Sequence, residues 1–311
     1  MRLSLHMKPL RRIAFTLLLT VLTVTAWADN VKYIDADGNE KTVDATAVTS
    51  ETLEMGTEKT TSWYYVEKEG NVDNYNRIEL HGTVNLILCE NCRFNANYGM
   101  HLPAGNVLNI YTQSDGNGYL YASYSGNNAA IGGNGGDNHE DADGTDGEDA
   151  GDVNIYGGRL YISGSLGGGR GGDGIEDGAG GGASILLSWT HSSDYVYASS
   201  YYGTVTLKKA FTDGDSNSYA AGTADVNNIY DKYLYSTDYV IYHEQAVATC
   251  TEVGYLQDCW YMPATKKYYT DSKCTQEIAK DEVVIPALGH NITSEGKDAT
   301  FTTPGKVGYW Y

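Results

Sequence analysis

Two glycine-rich nonapeptides, GGNGGDNHE at 132–140 and GGRGGDGIE at 168–176, hold the residues of this chain best suited to metal chemistry. Both follow GGxGxDxUx, a repeat that binds calcium between stacked turns, with His139 a poor match to the apolar U position. A hard cation needs several oxygen ligands, and Asp137, Asp173, Glu176 and Asp177 offer carboxylates beside glycine carbonyls. The run at 141–152, DADGTDGEDAGD, adds acid with no lysine or arginine to offset it. The pattern predicts a Ca2+ site. The competing reading is a solvated loop held open by its own charge.

Tyrosines supply the second candidate chemistry. The segments RFNAN (93–97), YLYAS (119–123), RLYIS (159–163) and YVYAS (195–199) align without gaps. Strand alternation puts Phe94, Leu120, Leu160 and Val196 on one face, beside Ala96, Ala122, Ile162 and Ala198, and leaves Tyr121, Tyr161 and Tyr197 together on the other. A row of phenol rings can hold the apolar faces of sugar rings, with Ser123, Ser163 and Ser199 as hydrogen-bonding neighbours. The plainer alternative is a sheet stabilised by cross-strand ring pairs, at about 0.2–1 kcal/mol each.

Catalytic chemistry finds little purchase. Hydrolysis of glycosides needs paired carboxylates at a fixed separation, and the coils near the acidic loops offer only Arg159 and Arg170 as cations. His101, His139, His191 and His243 are scattered along the chain, and no Gly-x-Ser-x-Gly, HExxH or phosphate-loop motif occurs. No catalytic residue is assigned. Cys89-Glu90-Asn91-Cys92 has CxxC spacing, but no second CxxC completes a zinc site and no following helix completes a redox motif. It reads as a local disulfide or two core thiols.

These candidates need a scaffold. Alternating strands begin at Trp63 (WYYVE, RIELHG, TVNLIL), and strand pairs such as VNIY-GG-RLYIS recur at intervals of tens of residues, the mark of a solenoid. Leu108/Ile110, Val153/Ile155, Ile185/Leu187 and Val205/Leu207 supply further inward layers, stacked about 4.8 Å apart. The expected fold class is all-β, a right-handed parallel β-helix with a small C-terminal β-rich repeat domain. Residues 29–61 form a lead-in with a hairpin around Asp35–Asn39, 62–210 the coil with inserted glycine loops, and 211–242 a connector. Glycine in the loops permits positive φ and close packing of turns.

A different unit occupies 243–290, and its opening, ATCTEVGYLQDCWY, recurs as ATFTTPGKVGYWY at 299–311. Cys250 and Cys259 are both replaced in that second copy, at Phe301 and Tyr309, so the two are expected to pair, leaving Cys274 unpaired or, if the domains touch, bonded to Cys89 or Cys92. The second copy, 291–311, stops in mid-unit, which predicts a natural chain that continues past Tyr311.

The balance of 40 acidic against 21 basic residues gives a net charge of −19. Residues 1–28 read as a Sec-type signal peptide: Arg2, Lys8, Arg11 and Arg12, an apolar run at 13–25, then Ala26-Trp27-Ala28, with no cysteine for a lipid anchor. Its four basic residues leave with it and no acid does, so the mature chain carries 17 bases, 40 acids and −23. Such a surface repels phosphate backbones and anionic lipids, which excludes nucleic acid as a partner and membrane insertion of the mature chain. Twenty-seven tyrosines against four phenylalanines suit half-exposed sheet.

WYYVE (63–67), TVNLIL (83–88), NNAAIGGNGG (127–136) and VNIYGG with LYISG (153–164) together resemble the glycine-rich right-handed β-helix repeats of secreted bacterial surface proteins. The C-terminal unit is similar to the CTxxGY…CW…KYY-D…IPALGH repeats that follow such coils. The two resemblances cover most of the mature chain, and they imply an exported or cell-surface, adhesin-like structural protein. The expected partners are host or plant glycans or surface proteins, bound without cleavage. Two other classes stay open: a β-helix polysaccharide lyase or glycoside hydrolase, revealed by new sugar ends, and a spacer that displays a further C-terminal domain.

Overall fold

The computed structural model describes residues 29–288 except 190, 214, 216, 238–239, 263–264 and 272–273, together with the backbone of 292–294 and 309–310. Residues 1–28, read as a signal peptide, and most of the expected second C-terminal copy at 291–311 lie outside the described residues. The chain is nearly all β, and nineteen strands join in one large, curled, mostly parallel sheet.

The sheet is built from three stacks of parallel strands that the chain visits in a fixed order. In one stack Val84 pairs with Leu108, then Val153, Ile185 and Val205, while Leu86 heads the row Ile110, Ile155, Leu187 and Leu207. In the next, Phe94 pairs with Leu120, Leu160 and Val196, and Ala96 with Ala122, Ile162 and Ala198. All of these side chains are buried in one core, as the alternation predicts. Each large aliphatic one contributes about 1.5–3 kcal/mol.

The third stack is not legible in the strand pairs. It runs from Ile78 to Met100, Ile131, Leu166 and Tyr201, on strands as short as Met100–His101 and Ile131–Gly132. Two-residue strands show no alternation. The RLYIS segment continues as Arg159–Gly167, with an irregularity between Ile162 and Ser165 that turns one stack into the next. Gly164, at φ 145°, occupies that corner.

Each margin of the parallel stacks carries an added segment over part of its edge, which shortens the unpaired edge open to other chains. At one margin the hairpin Asp29–Ile34 and Glu40–Ala47 forms as expected, its turn closed by Asp35, whose Oδ1 accepts from the N–H of Asn39 at 2.8 Å. Val31, Ala45, Tyr65, Ile87 and Cys89 form a small second core, with Tyr33 and Trp63 packed against it. At the other margin Lys232–Ser236 pairs antiparallel with Tyr195–Tyr202. Asp213 is buried there, and its Oδ2 accepts from Tyr219 (2.7 Å) and Lys232 (3.0 Å). The small C-terminal unit is a separate antiparallel sheet of Ile241–His243, Cys259–Met262, Lys267–Tyr269 and Glu277–Ile278.

The glycine inserts differ most from expectation. They are not turns at positive φ or open loops but rods joined by backbone hydrogen bonds at every third residue. Gly133, Gly136 and His139 donate to the carbonyls of Gly167, Arg170 and Asp173; Gly144, Gly147 and Ala150 donate to those of Glu176, Ala179 and Gly182. Antiparallel bonds cross between them, from Thr145 to Asp137 and from Gly172 to Thr145. Three residues per turn is the repeat of the polyproline II helix. Apart from Gly132 and Gly167 at the corners, the glycines here avoid the left-handed region. Glycine is needed because the rods touch: a Cβ on Gly172 would stand 1.9 Å from the carbonyl oxygen of Asp137.

Candidate functional site

The outward residues of the middle stack form two adjacent ladders. One runs Asn95, Tyr121, Tyr161, Tyr197 and Tyr233; the other, two residues earlier on each parallel strand, runs Arg93, Tyr119, Arg159, Tyr195 and Tyr235. The parallel register predicted for Tyr121, Tyr161 and Tyr197 is the observed one. Their rings stack, with centroids 5.9 Å apart between Tyr121 and Tyr161 and 4.5 Å apart between Tyr161 and Tyr197.

That spacing changes what the rings can do. Tyr161 and Tyr197, only 13° from parallel, cover each other's faces and leave no room for a sugar between them. They present edges and hydroxyls, and the Tyr197 hydroxyl donates to Asp231 Oδ1 at 2.5 Å. The ring row ends at Tyr121, whose next neighbour on the ladder is the small Asn95. Where the side chains shorten, a groove of about 420 Å³ opens, walled by Tyr119, Tyr121, Tyr161, Tyr195 and Tyr233 and closed by Arg93, Asn95 and Asn97.

Polar partners fix the narrow end of this groove. Arg93 lies over the Tyr119 ring, 5.0 Å from its centroid, and its Nε donates to Asn95 Oδ1 at 3.1 Å. Asn95 Nδ2 in turn donates to Asp73 Oδ1 at 2.6 Å. Burial pushes the Tyr119 phenol up, against the pull of Arg93, so it stays a neutral hydrogen-bonding group. The predicted serines have other roles. Ser123 donates to the Asn97 carbonyl at 2.9 Å, Ser163 sits opposite Ser123 in the ladder, and neither lines the groove.

The residues proposed for calcium fall on the glycine rods. Asp173 is ion-paired with Arg170 at 2.7 Å, Asp177 accepts from the Gly174 N–H at 3.2 Å, and Asp137 and Glu176 are exposed. The acidic run serves the backbone: Asp143, Asp146 and Asp149 accept from the N–H groups of Glu176, Ala179 and Gly182. Among the described residues no three metal-capable side chains gather at one point.

The remaining candidates are dispersed. His101 is clasped between Glu79 (2.6 Å) and Glu148 (2.9 Å), fastening the rods to the short third stack. Burial alone would raise the Glu148 carboxyl, but the Asn134 N–H and His101 hold it below its ordinary value. His243 stacks on Tyr255, and His191 Nδ1 lies 2.8 Å from Ser193 Oγ. All five cysteines are free thiols in this structure: Cys89, Cys92 and Cys259 buried, Cys250 and Cys274 half-buried. The Cys250–Cys259 bridge is therefore not formed here. A larger groove of about 580 Å³ lies among Glu58–Thr61, His81–Thr83 and Pro103–Asn106, but it offers neither an aromatic wall nor paired carboxylates.

Sequence reasoning missed Arg93, Asn95, Tyr119 and Tyr195 as site residues, although they stand two positions before or beside the chosen tyrosines in the same aligned segments. Tyr233 arrives on an antiparallel strand inside the 211–242 segment expected to be only a connector, and no local pattern announces its place. No family model, curated protein or solved structure gives a match to this chain, so the geometry of the groove carries the functional reading.

Proposed function

We propose that this chain is an exported cell-surface protein, built as a right-handed parallel β-helix with a small C-terminal β repeat, that binds glycans without cleaving them. Three parallel stacks visited in constant order support the helical winding, and right-handed crossovers are the general rule for parallel strands. The carrying observation is the groove beside Tyr121. It joins an aromatic wall to a short, ordered set of Arg93, Asn95 and Asn97 side chains, the combination of apolar faces and fixed polar groups that small-molecule sites use. No pair of free carboxylates stands in the groove wall, which favours binding over hydrolysis.

The test is binding of residues 29–311 to a panel of mucin and plant glycans, with Ca2+ and again with EDTA, alongside an assay for sugar ends. Saturable retention without new reducing or unsaturated ends is the expected result. New ends would replace this reading with the lyase or hydrolase class. Retention of nothing on the panel would leave a structural spacer.

A further inference from the structure

We infer that the groove takes a sugar bearing a carboxylate, a hexuronate, whose anion is held by Arg93 beside the Tyr119–Tyr121 wall. This rests on the glycan-binding reading and gives it a substrate class. Four arginines lie among the described residues. Arg77 directs its guanidinium into the protein, where Nη1 donates to the Ala129 carbonyl at 3.0 Å beneath the Tyr124 ring. Arg170 is ion-paired with Asp173.

The other two, Arg93 and Arg159, belong to one ladder, alternating with Tyr119 and Tyr195 on the site face. Among the described residues neither has a carboxylate within ion-pairing distance. Arg159 donates Nε to the Ser193 carbonyl at 3.2 Å and acts at longer range on the buried Asp194. Arg93 is exposed at the mouth of the groove.

In a chain with 40 acids and 21 bases, ion-pair partners are plentiful. An exposed arginine without one, braced by a ring and an asparagine, is oriented before any ligand arrives. A guanidinium stacked on a ring keeps its in-plane N–H groups available, and their fork matches the two oxygens of a carboxylate. The carboxylates at the two ends of the neighbouring ladder are engaged, Asp73 by Asn95 and Asp231 by Tyr197. The chain as a whole carries a net charge of −19, so an anionic ligand is favoured where Arg93 and Arg159 stand and opposed by the remaining charge.

Uronates come from plant-wall polymers or from host matrix polymers, and separate arms tell these sources apart. An oligogalacturonate tetramer and a hyaluronan tetramer are each titrated beside their carboxyl-reduced counterparts. At least one carboxylated oligosaccharide should bind about tenfold or more tightly than its reduced form, the ordinary scale for a charge-assisted hydrogen bond. Arg93→Gln should bring the two within about twofold, while Arg170→Gln, on the rods, leaves the preference intact. Melting curves for both variants verify that each is folded. Equal binding of charged and reduced forms, or a preference that survives Arg93→Gln, overturns the inference and leaves the glycan reading standing. No binding of any of the four overturns both for these sugars.

Discussion

Tyr161 and Tyr197 stack at 4.5 Å and 13°, whereas Tyr121 stands 5.9 Å from Tyr161 and meets the small Asn95 on its other side. The ladder thus has two parts: a closed one that holds strands together, and an open end where the Tyr121 ring borders the groove proposed to take a glycan. Tyr161, in contact with Tyr121, Tyr197 and Tyr233, should cost stability when cut to alanine, by about 1–3 kcal/mol including the lost stacking. Tyr121→Ala should cost less in a denaturant melt yet lose tenfold or more in glycan affinity. The reverse order of effects would show that the groove has been placed at the wrong end.

The rods make a sharper claim about glycine. A methyl at Gly172 would collide with the Asp137 carbonyl at 1.9 Å, while at Gly182 the nearest atom is a side-chain oxygen of Asp149 at 3.4 Å. Neither has a positive φ in the left-handed region. Gly172→Ala should therefore destabilise by about 1–3 kcal/mol through overpacking. Gly182→Ala should be neutral or gain up to about 1 kcal/mol, by restricting the unfolded chain. Thermal unfolding of the two variants decides, and equal effects would sink the packed-rod account.

How much of this could be read from residues alone follows from local geometry. Phe94, Leu120, Leu160 and Val196 reveal their stack because alternation over five residues is enough to fix a face. Ile78, Met100, Ile131 and Leu166 do not, because their strands are too short to alternate. The period of three in DGTDGEDAG is present in the sequence. Glycine's two uses, freedom in φ and absence of a Cβ, look alike there, and only the distances between rods separate them. The tyrosine register was legible for the same reason as the core. The role proposed for Arg93 was not, since the lack of an ion-pair partner among the described residues is a property of three dimensions.

Asp194 predicts a pH dependence with a definite sign. It is fully buried, and that burial pushes its pKa from 3.8 up to about 7 against the opposing pull of the Gly158 backbone N–H and of Arg159 and Lys209. Below pH 3.8 the carboxyl is neutral whether the chain is folded or not, and nothing is lost. Between there and about pH 7 the unfolded chain ionises while the folded one holds its proton, so stability falls as pH rises. The loss levels off above about pH 7, on the order of 4 kcal/mol as an upper bound. Asp194→Asn should thus be more stable than the parent at pH 8 and differ little at pH 4. Urea melts at the two pH values test this, and a variant weakened equally at both would place the ionised carboxylate in a stabilising role instead.

The cysteines separate by burial, and their reactivity should follow. Cys89 and Cys92 lie within the body, joined by the Cys92 N–H to Cys89 carbonyl bond at 3.1 Å, and burial pushes each pKa up to about 12. At pH 8 the reactive thiolate is then on the order of one part in ten thousand, against roughly a quarter for an unhindered thiol near 8.5. Cys250, half-buried in the turn where Thr249 N–H meets the Glu252 carbonyl, has the easier access. Timed alkylation of the native protein, read by peptide mass, should label Cys250 early and leave Cys89 and Cys92 unmodified until denaturant is added. The same digest, run without reduction, checks the two local pairings, Cys250–Cys259 and Cys89–Cys92. A linked Cys250–Cys259 peptide would mean that the small C-terminal sheet closes further than it does here. A linked Cys89–Cys92 loop would show that the turn, rather than burial, governs that pair, and the early-versus-late order would no longer hold.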